Sequence, residues 1–203
     1  QKQALSMVYD GLMPWDIDKA INEFGFKMGP FQMSDLAGLD IGWKKGEKTI
    51  NPIRDALCEL DRRGQKTNAG YYDYDENRVP RISKLTEKVI KDITGKKKEQ
   101  NMNSAEIIEQ CIFPMINEAL LILEEGMAQR PSDIDVVWLN GYGFPKNKGG
   151  LLFWANKVGG SKILEGLKRM EEGGLEIKIS EMLEEMVKRN KNIFDTEDQK
   201  IRV

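Results

Sequence analysis

The chain contains no histidine, only two cysteines and no apolar run approaching the length of a membrane span. The first absence removes the commonest general base, the commonest zinc ligand and every Ser-His or Cys-His nucleophile pair. An independent hydrolase or metalloenzyme is therefore disfavoured, and no catalytic residue and no metal ligand is assigned. Cys58 and Cys111 lie far apart on apolar helical faces, which reads as reduced core positions rather than a disulfide or metal pair. Charge is also nearly balanced, with a net charge of −2 and a sequence pI near 5.5, so no global field recruits nucleic acid. The longest basic run, Lys96-Lys97-Lys98, leads into Glu99-Gln100-Asn101 without interleaved aromatics and reads as a solvated linker. No signal-peptide pattern opens the chain, and Lys200-Ile201-Arg202-Val203 matches no lipidation or peroxisomal-import signal. Neither a nucleic acid nor a membrane is expected as a partner.

What is present is helical periodicity in a chain of 203 residues, long enough for one sizeable core or two small ones. Ile107, Ile108, Cys111, Ile112, Met115, Ile116, Ala119, Leu120 and Leu123 form one apolar stripe on a long helix. Asn103 with Glu106 suits its start, and Pro114 is expected to kink it. Ile53, Ala56, Leu57 and Leu60 repeat the spacing behind Asn51-Pro52, an N-cap followed by a first-turn proline. Ile179, Met182, Leu183, Met186 and Val187 give a third such face. Tyr71 to Tyr74 is the best strand-like segment and is too short to anchor a sheet. The adjacent acidic pairs Glu124-Glu125, Glu171-Glu172 and Glu184-Glu185 do not face each other on a helix and read as solvated faces.

The chain resembles itself. "QALSMVYDGLMPWDID" (3–18) matches "EALLILEEGMAQRPSDID" (118–135), pairing Ala4 with Ala119, Gly11 with Gly126, and Asp16 and Asp18 with Asp133 and Asp135. Farther on, Gly25-Phe26 matches Gly143-Phe144, and "GPFQMSDLAG" (29–38) matches "GLLFWANKVG" (150–159), with Asp35 opposite Asn156. Each half is read as a long helix, a short helix opened by an Asp-Ile-Asp turn, a glycine-rich corner and another helix. Residues 104–115 have no counterpart in the first half, so the first helix is expected to begin in mid-helix, as in a chain cut from a larger protein. The expected division is residues 1–80, a connecting helix and Lys-rich linker at 81–102, and residues 103–203.

"FGFKMGPFQMSDLAGLDIGWK" (24–44) and "GQKTNAGYYDYD" (64–75) resemble the C-terminal helical domain of 3-hydroxyacyl-CoA dehydrogenases. "DIDVVWLNGYGFPKNKGGLLFWANKVG" (133–159) is similar to the second copy of that domain in multifunctional β-oxidation enzymes, especially peroxisomal-type bifunctional ones. The resemblance spans roughly residues 3–190. It implies an all-α fold of two tandem repeats of the 6-phosphogluconate-dehydrogenase C-terminal-like type, packed against each other. It also implies an upstream Rossmann domain of the same parent chain that binds NAD and holds a catalytic His–Glu pair. The helical domain then closes an acyl-CoA cleft, contributes no cofactor contact of its own, and carries a substrate-binding Asn that would lie upstream of Gln1. In two-copy members the second copy takes the position of a partner subunit. Peroxisomal location is suggested by family type alone, with cytoplasm or mitochondrial matrix as alternatives. This chain has no G-x-G-x-x-G fingerprint following a strand. It departs from the family pattern at Lys27, where a proline is usual, and at Asn68, where a glycine is usual; Asn tolerates a left-handed backbone.

Met28, Gly29, Pro30 and Phe31 carry two readings. One is a substrate-facing wall, with Gly29 admitting a ligand and Met28 and Phe31 offering apolar area. The other is a helix–helix corner with Pro30 at a helix start and Phe31 in the core. Asp35 is read as a surface or capping residue, or as one that orients the neighbouring loop. Lys146 and Lys148 in "FPKNKGGLL" could face a phosphate or simply form a basic turn. Trp15, Trp43, Trp138 and Trp154 are read as buried. The functional expectation is the cleft-shaping part of an NAD-dependent (S)-3-hydroxyacyl-CoA dehydrogenase, inactive alone. The alternative is a stand-alone helical binding or oligomerisation module, and self-association of the fragment stays open under either reading.

Overall fold

The computed structural model describes residues 1–46, 48–95 and 102–196, so the Lys96–Lys98 run and the C-terminal Lys200–Val203 segment lie outside the described residues. Helices dominate. In chain order they are α1 (Lys2–Tyr9), α2 (Pro14–Phe24), α3 (Pro30–Ala37), α4 (Pro52–Glu59), α5 (Lys84–Thr94), α6 (Ser104–Glu124), α7 (Pro131–Asn140), α8 (Leu151–Val158), α9 (Gly160–Glu172) and α10 (Glu181–Arg189). Between α4 and α5 two short strands, β1 (Tyr72–Tyr74) and β2 (Pro80–Ile82), pair antiparallel with Tyr72 opposite Ile82. They form the only sheet among the described residues. The tyrosine segment thus finds a partner that its length did not suggest. Asp75 makes this hairpin by accepting from the amides of Asn77 (3.0 Å) and Val79 (2.9 Å), and Pro80 sits at a strand start, where a missing N–H is tolerated. No helix among the described residues is long and apolar enough to cross a membrane.

Two compact units result: residues 1–23 with 27–104, and residues 24–26 with those from 105 onward. In the first, Asn51 caps α4 by accepting from the Arg54 amide at 3.0 Å, with Pro52 in the first turn. Ile53, Leu57 and Cys58 are buried, whereas Leu60 is half-exposed. Helix α5, expected in a connecting stretch, packs on α4 inside this unit, opened by Ser83 and closed by Gly95 in the left-handed conformation. Asn68 holds that same conformation, φ 54°, so the turn survives without glycine.

In the second unit, α6 runs continuously through Pro114. It buries Phe113 and Asn117 beside the expected Ile112, Ile116 and Leu120. Gly166 on α9 makes room for Phe113, since a Cβ there would meet the ring at 2.5 Å. Asn117 grips the start of α10, donating to the Lys178 carbonyl (2.8 Å) and accepting from the Ser180 amide (2.9 Å). Glu124, read as a solvated charge, accepts from the Ser180 hydroxyl and the Met182 amide, both at 2.6 Å. Leu183 and Met186 are the buried part of the α10 face, which begins at Glu181 rather than Ile179. Phe24 meets Trp154 edge-on at 5.1 Å, and Phe26 meets Phe144 at 5.5 Å.

Candidate functional site: a helix start held by buried carboxylates

The Asp-Ile-Asp turn does not open the short helix. Helix α2 begins at Pro14, and Asp18 lies in its interior with a carboxylate 1% exposed. That carboxylate caps α3 instead. Its oxygens accept from the amides of Phe31 (3.0 Å) and Gln32 (2.9 Å), and one of them also accepts from the Tyr72 hydroxyl (2.8 Å). Gln32 completes the cap by accepting from the Gly29 amide at 2.9 Å. The second unit repeats the device, with Asp135 accepting from the amides of Leu152 (2.7 Å) and Phe153 (3.0 Å).

This arrangement gives the glycines a reason different from ligand approach. Gly29 has ordinary extended dihedrals, φ −80° and ψ 174°, yet a Cβ there would fall on the Asp18 carboxylate and within 2.5 Å of its Cα. Gly150 faces Asp135 in the same way. A side chain at either position would push the capping carboxylate off the helix start. The first-turn amides are therefore already taken by a negative charge, which leaves neither helix start free to bind phosphate. Lys146 and Lys148 form a short 3-10 turn before α8, and Lys148 places its ammonium 4.3 Å from the Phe24 ring centre. The basic-turn reading fits that placement.

Of the four candidate wall residues, Met28 and Pro30 are half-buried and Gly29 is covered by Asp18. Phe31 is 4% exposed and packs edge-on against Tyr71 with centroids 4.8 Å apart. Lys27 is exposed, so its charge carries no burial penalty.

Behind this helix start lies a second buried carboxylate. Asp35, 1% exposed, accepts from the amides of Tyr71 (2.8 Å) and Tyr72 (3.0 Å) and from the Tyr74 hydroxyl (2.8 Å). It orients the loop and strand rather than standing on the surface. Its partner in the repeat, Asn156, accepts from the Ile193 amide at 3.2 Å and so fastens the segment after α10. Arg62, 7% exposed, ties the other side of the strand through Gly70 O (3.0 Å), Tyr72 O (3.2 Å), Ser83 Oγ (3.0 Å) and Thr86 Oγ1 (3.2 Å). Its remaining nitrogen pairs with Asp73 at 2.7 Å.

Burial raises both Asp18 and Asp35 from 3.8 to about 6, although the donors around each pull the other way. Desolvation pushes the Tyr72 and Tyr74 hydroxyls upward as well, so both stay protonated and act as donors. Two buried carboxyls titrating near neutrality suggest acid–base chemistry. Here, however, each carboxylate already accepts from two amides and a tyrosine hydroxyl, an arrangement that holds structure together. A depression of about 460 Å³ lies at the hairpin tip, lined by Asn68, Tyr74, Asp75, Glu76 and Asn77, with no nucleophile in its wall. Cys58 is buried and its thiol pushed up to about 11, which leaves it unreactive. The described residues contain no cluster of three or more His, Cys, Asp or Glu side chains that could hold a metal.

The raised carboxyl values set a direction for stability. A group whose folded value lies above its unfolded one contributes stability that is complete below the unfolded value and is lost as pH rises through the folded value. The urea midpoint of the first unit is therefore expected to rise as pH falls from 7 to 5. The exposed carboxylates of Asp40 and Asp75 are shifted downward by their Lys66, Arg81 and amide contacts, so their contribution is lost only below this window. A midpoint that falls between pH 7 and 5 contradicts the assignment.

Asp18 and Tyr72 are the residues that sequence reasoning undervalued. The internal repeat did align Asp18 with Asp135 and Gly29 with Gly150, and that co-alignment was the available signal for the cap. Nothing local in the sequence points Tyr72 at Asp18.

The fold and site define a tandem helical assembly whose buried polar groups hold surfaces in place, with no reaction centre of its own among the described residues. The model of the 3-hydroxyacyl-CoA dehydrogenase C-terminal domain matches residues 1–74 and 107–199. The human peroxisomal bifunctional enzyme is 42% identical over 193 residues, covering 82% of this chain and 26% of that protein. The glyoxysomal fatty acid beta-oxidation multifunctional protein MFP-a of Brassica napus is 34% identical over 81% of this chain and 25% of its own. Among solved structures, the dehydrogenase part of multifunctional enzyme 1 from C. elegans aligns with TM-score 0.54 and 32% identity, over 70% of this chain and 36% of that one. A 3-hydroxybutyryl-CoA dehydrogenase from Escherichia coli aligns over 91% of this chain and 57% of its own, with TM-score 0.61 and 16% identity, a likeness of fold. The chain belongs to the family of 3-hydroxyacyl-CoA dehydrogenase C-terminal domains. It spans about a quarter of the length of the curated relatives it matches.

Proposed function

We propose that this chain is the helical, cleft-shaping part of an NAD-dependent (S)-3-hydroxyacyl-CoA dehydrogenase of fatty-acid β-oxidation. The observation that carries the proposal is the family match on both halves of the chain, at 42% identity to a peroxisomal bifunctional enzyme. In the parent enzyme an upstream Rossmann domain would bind NAD and supply the catalytic His–Glu pair; a chain without histidine cannot supply that base. Met28 and Pro30 would present apolar surface to acyl-CoA, Gly29 would admit the carboxylate that fixes them, and Phe31 would anchor the segment. The relatives' names suggest a peroxisomal setting for the parent.

The segment alone is expected to be inactive. In an assay of the isolated 203 residues with acetoacetyl-CoA and NADH, nicotinamide oxidation should not exceed the protein-free background. Turnover proportional to protein concentration overturns this, because it would require a base and a dinucleotide site within the chain.

A further inference from the structure

We propose that Tyr72, acting through Asp18, is a positioning residue for the Met28–Phe31 segment. The proposal rests on the reading of that segment as an acyl-CoA wall. Tyr72 comes from β1, far along the chain from Asp18, and its hydroxyl meets Asp18 Oδ2 at 2.8 Å. The same oxygen accepts from the Gln32 amide, and the other accepts from the Phe31 amide. The carboxylate is thus held by its neighbours on three sides. Two of those donors belong to the helix start being positioned, so they cannot by themselves fix its place. The tyrosine is the donor from outside it.

That donor is itself immobile. The Tyr72 amide is bound to Asp35 at 3.0 Å, its carbonyl accepts from Arg62 at 3.2 Å, and its residue pairs with Ile82 across the hairpin. Its ring is buried and meets Trp15 edge-on at 6.5 Å. Asp18, by contrast, has two side-chain torsions, and opposite it stands Gly29, which has no side chain to limit its swing. The Tyr72 hydroxyl supplies the restraint that Gly29 cannot. Removing it leaves the ring packing in place and frees the carboxylate to tilt, carrying the Phe31 and Gln32 amides and the preceding Met28–Gly29 backbone with it. Small displacements of a binding wall weaken complexation more than a chemical step carried out by other groups.

Tyr72→Phe tests this in two settings. In the isolated chain, the Phe31 and Gln32 amides should exchange hydrogen about tenfold faster while amides of α4 keep their rates. In the full-length dehydrogenase containing the segment, KM for acetoacetyl-CoA should rise about three- to tenfold, with kcat changed less than about twofold. Met28→Ala separates the underlying reading from the proposal. If Met28→Ala leaves KM unchanged, the segment is not a substrate wall and both fall. If Met28→Ala raises KM while Tyr72→Phe leaves KM and local exchange as they were, the positioning role alone falls. Faster exchange across the whole first unit with an unchanged KM marks a purely structural tyrosine and also overturns the proposal.

Discussion

Asp18→Ala is expected to destabilise the first unit by about 3–5 kcal/mol, the largest single effect anticipated for a polar residue in this chain. The reason is the number of partners left behind. The amides of Phe31 and Gln32 and the hydroxyl of Tyr72 all donate to this one carboxylate, at 2.8–3.0 Å, in a site that excludes water. Each buried donor left without an acceptor loses about 1–3 kcal/mol, and loss of a helix cap is itself worth about 1 kcal/mol. Alanine removes the acceptor from all three at once. Asp18→Asn keeps one oxygen but turns an amide nitrogen towards other donors, so it should recover less than half of the loss. Urea unfolding followed by tryptophan fluorescence and local hydrogen exchange gives both values. A loss below about 1 kcal/mol for alanine would mean that water or a rearranged Gln32 replaces the cap.

Arg62→Ala is expected to destabilise the same unit by about 2–4 kcal/mol, for a different physical reason. Its ion pair with Asp73 is not the main contribution, because that aspartate side chain is 49% exposed and solvent screens the pair. The loss comes from four hydrogen bonds to Gly70, Tyr72, Ser83 and Thr86 and from the space left by a long buried side chain. Thr86 still donates to the Gly70 carbonyl at 3.2 Å, which limits how many groups are orphaned and keeps the expected value below that of Asp18→Ala. Arg62→Lys should restore little, since one ammonium cannot reproduce the planar fork that reaches both strand carbonyls and both hydroxyls. The measurement is the unfolding free energy of Arg62→Ala, Arg62→Lys and Asp73→Ala together. If Asp73→Ala matches Arg62→Ala, the ion pair outweighs the hydrogen bonds and this ranking is wrong.

Both predictions concern buried polar groups, and it is there that sequence and structure part company. Helix positions were readable because each depends on a local period or a local cap. The apolar faces of α4, α6 and α10 recur every three or four residues, and Asn51-Pro52 and Gly95 carry their capping chemistry in their own side chains or lack of one. The repeat was readable too, because the capping aspartates and the glycines facing them align between the halves. Their work was not. An aspartate inside a helix looks like a solvated charge until the next helix start is placed upon it. Likewise Phe113 and Asn117 fall outside the main stripe of α6, and only the approach of Gly166 and of the α10 start explains why they are buried.

The sequence by itself determined that the chain is helical, internally repeated and without the histidine that 3-hydroxyacyl-CoA chemistry would require, since these follow from composition and short-range spacing. Only the tertiary structure decided what the Met28–Phe31 segment is made of: a helix start closed by Asp18, a glycine kept bare for that carboxylate, and a tyrosine from a distant hairpin holding it from behind. Hydrogen bonds that join residues 13 to 54 positions apart leave no period in a sequence, and burial decides whether a carboxylate is an ornament or a fastening.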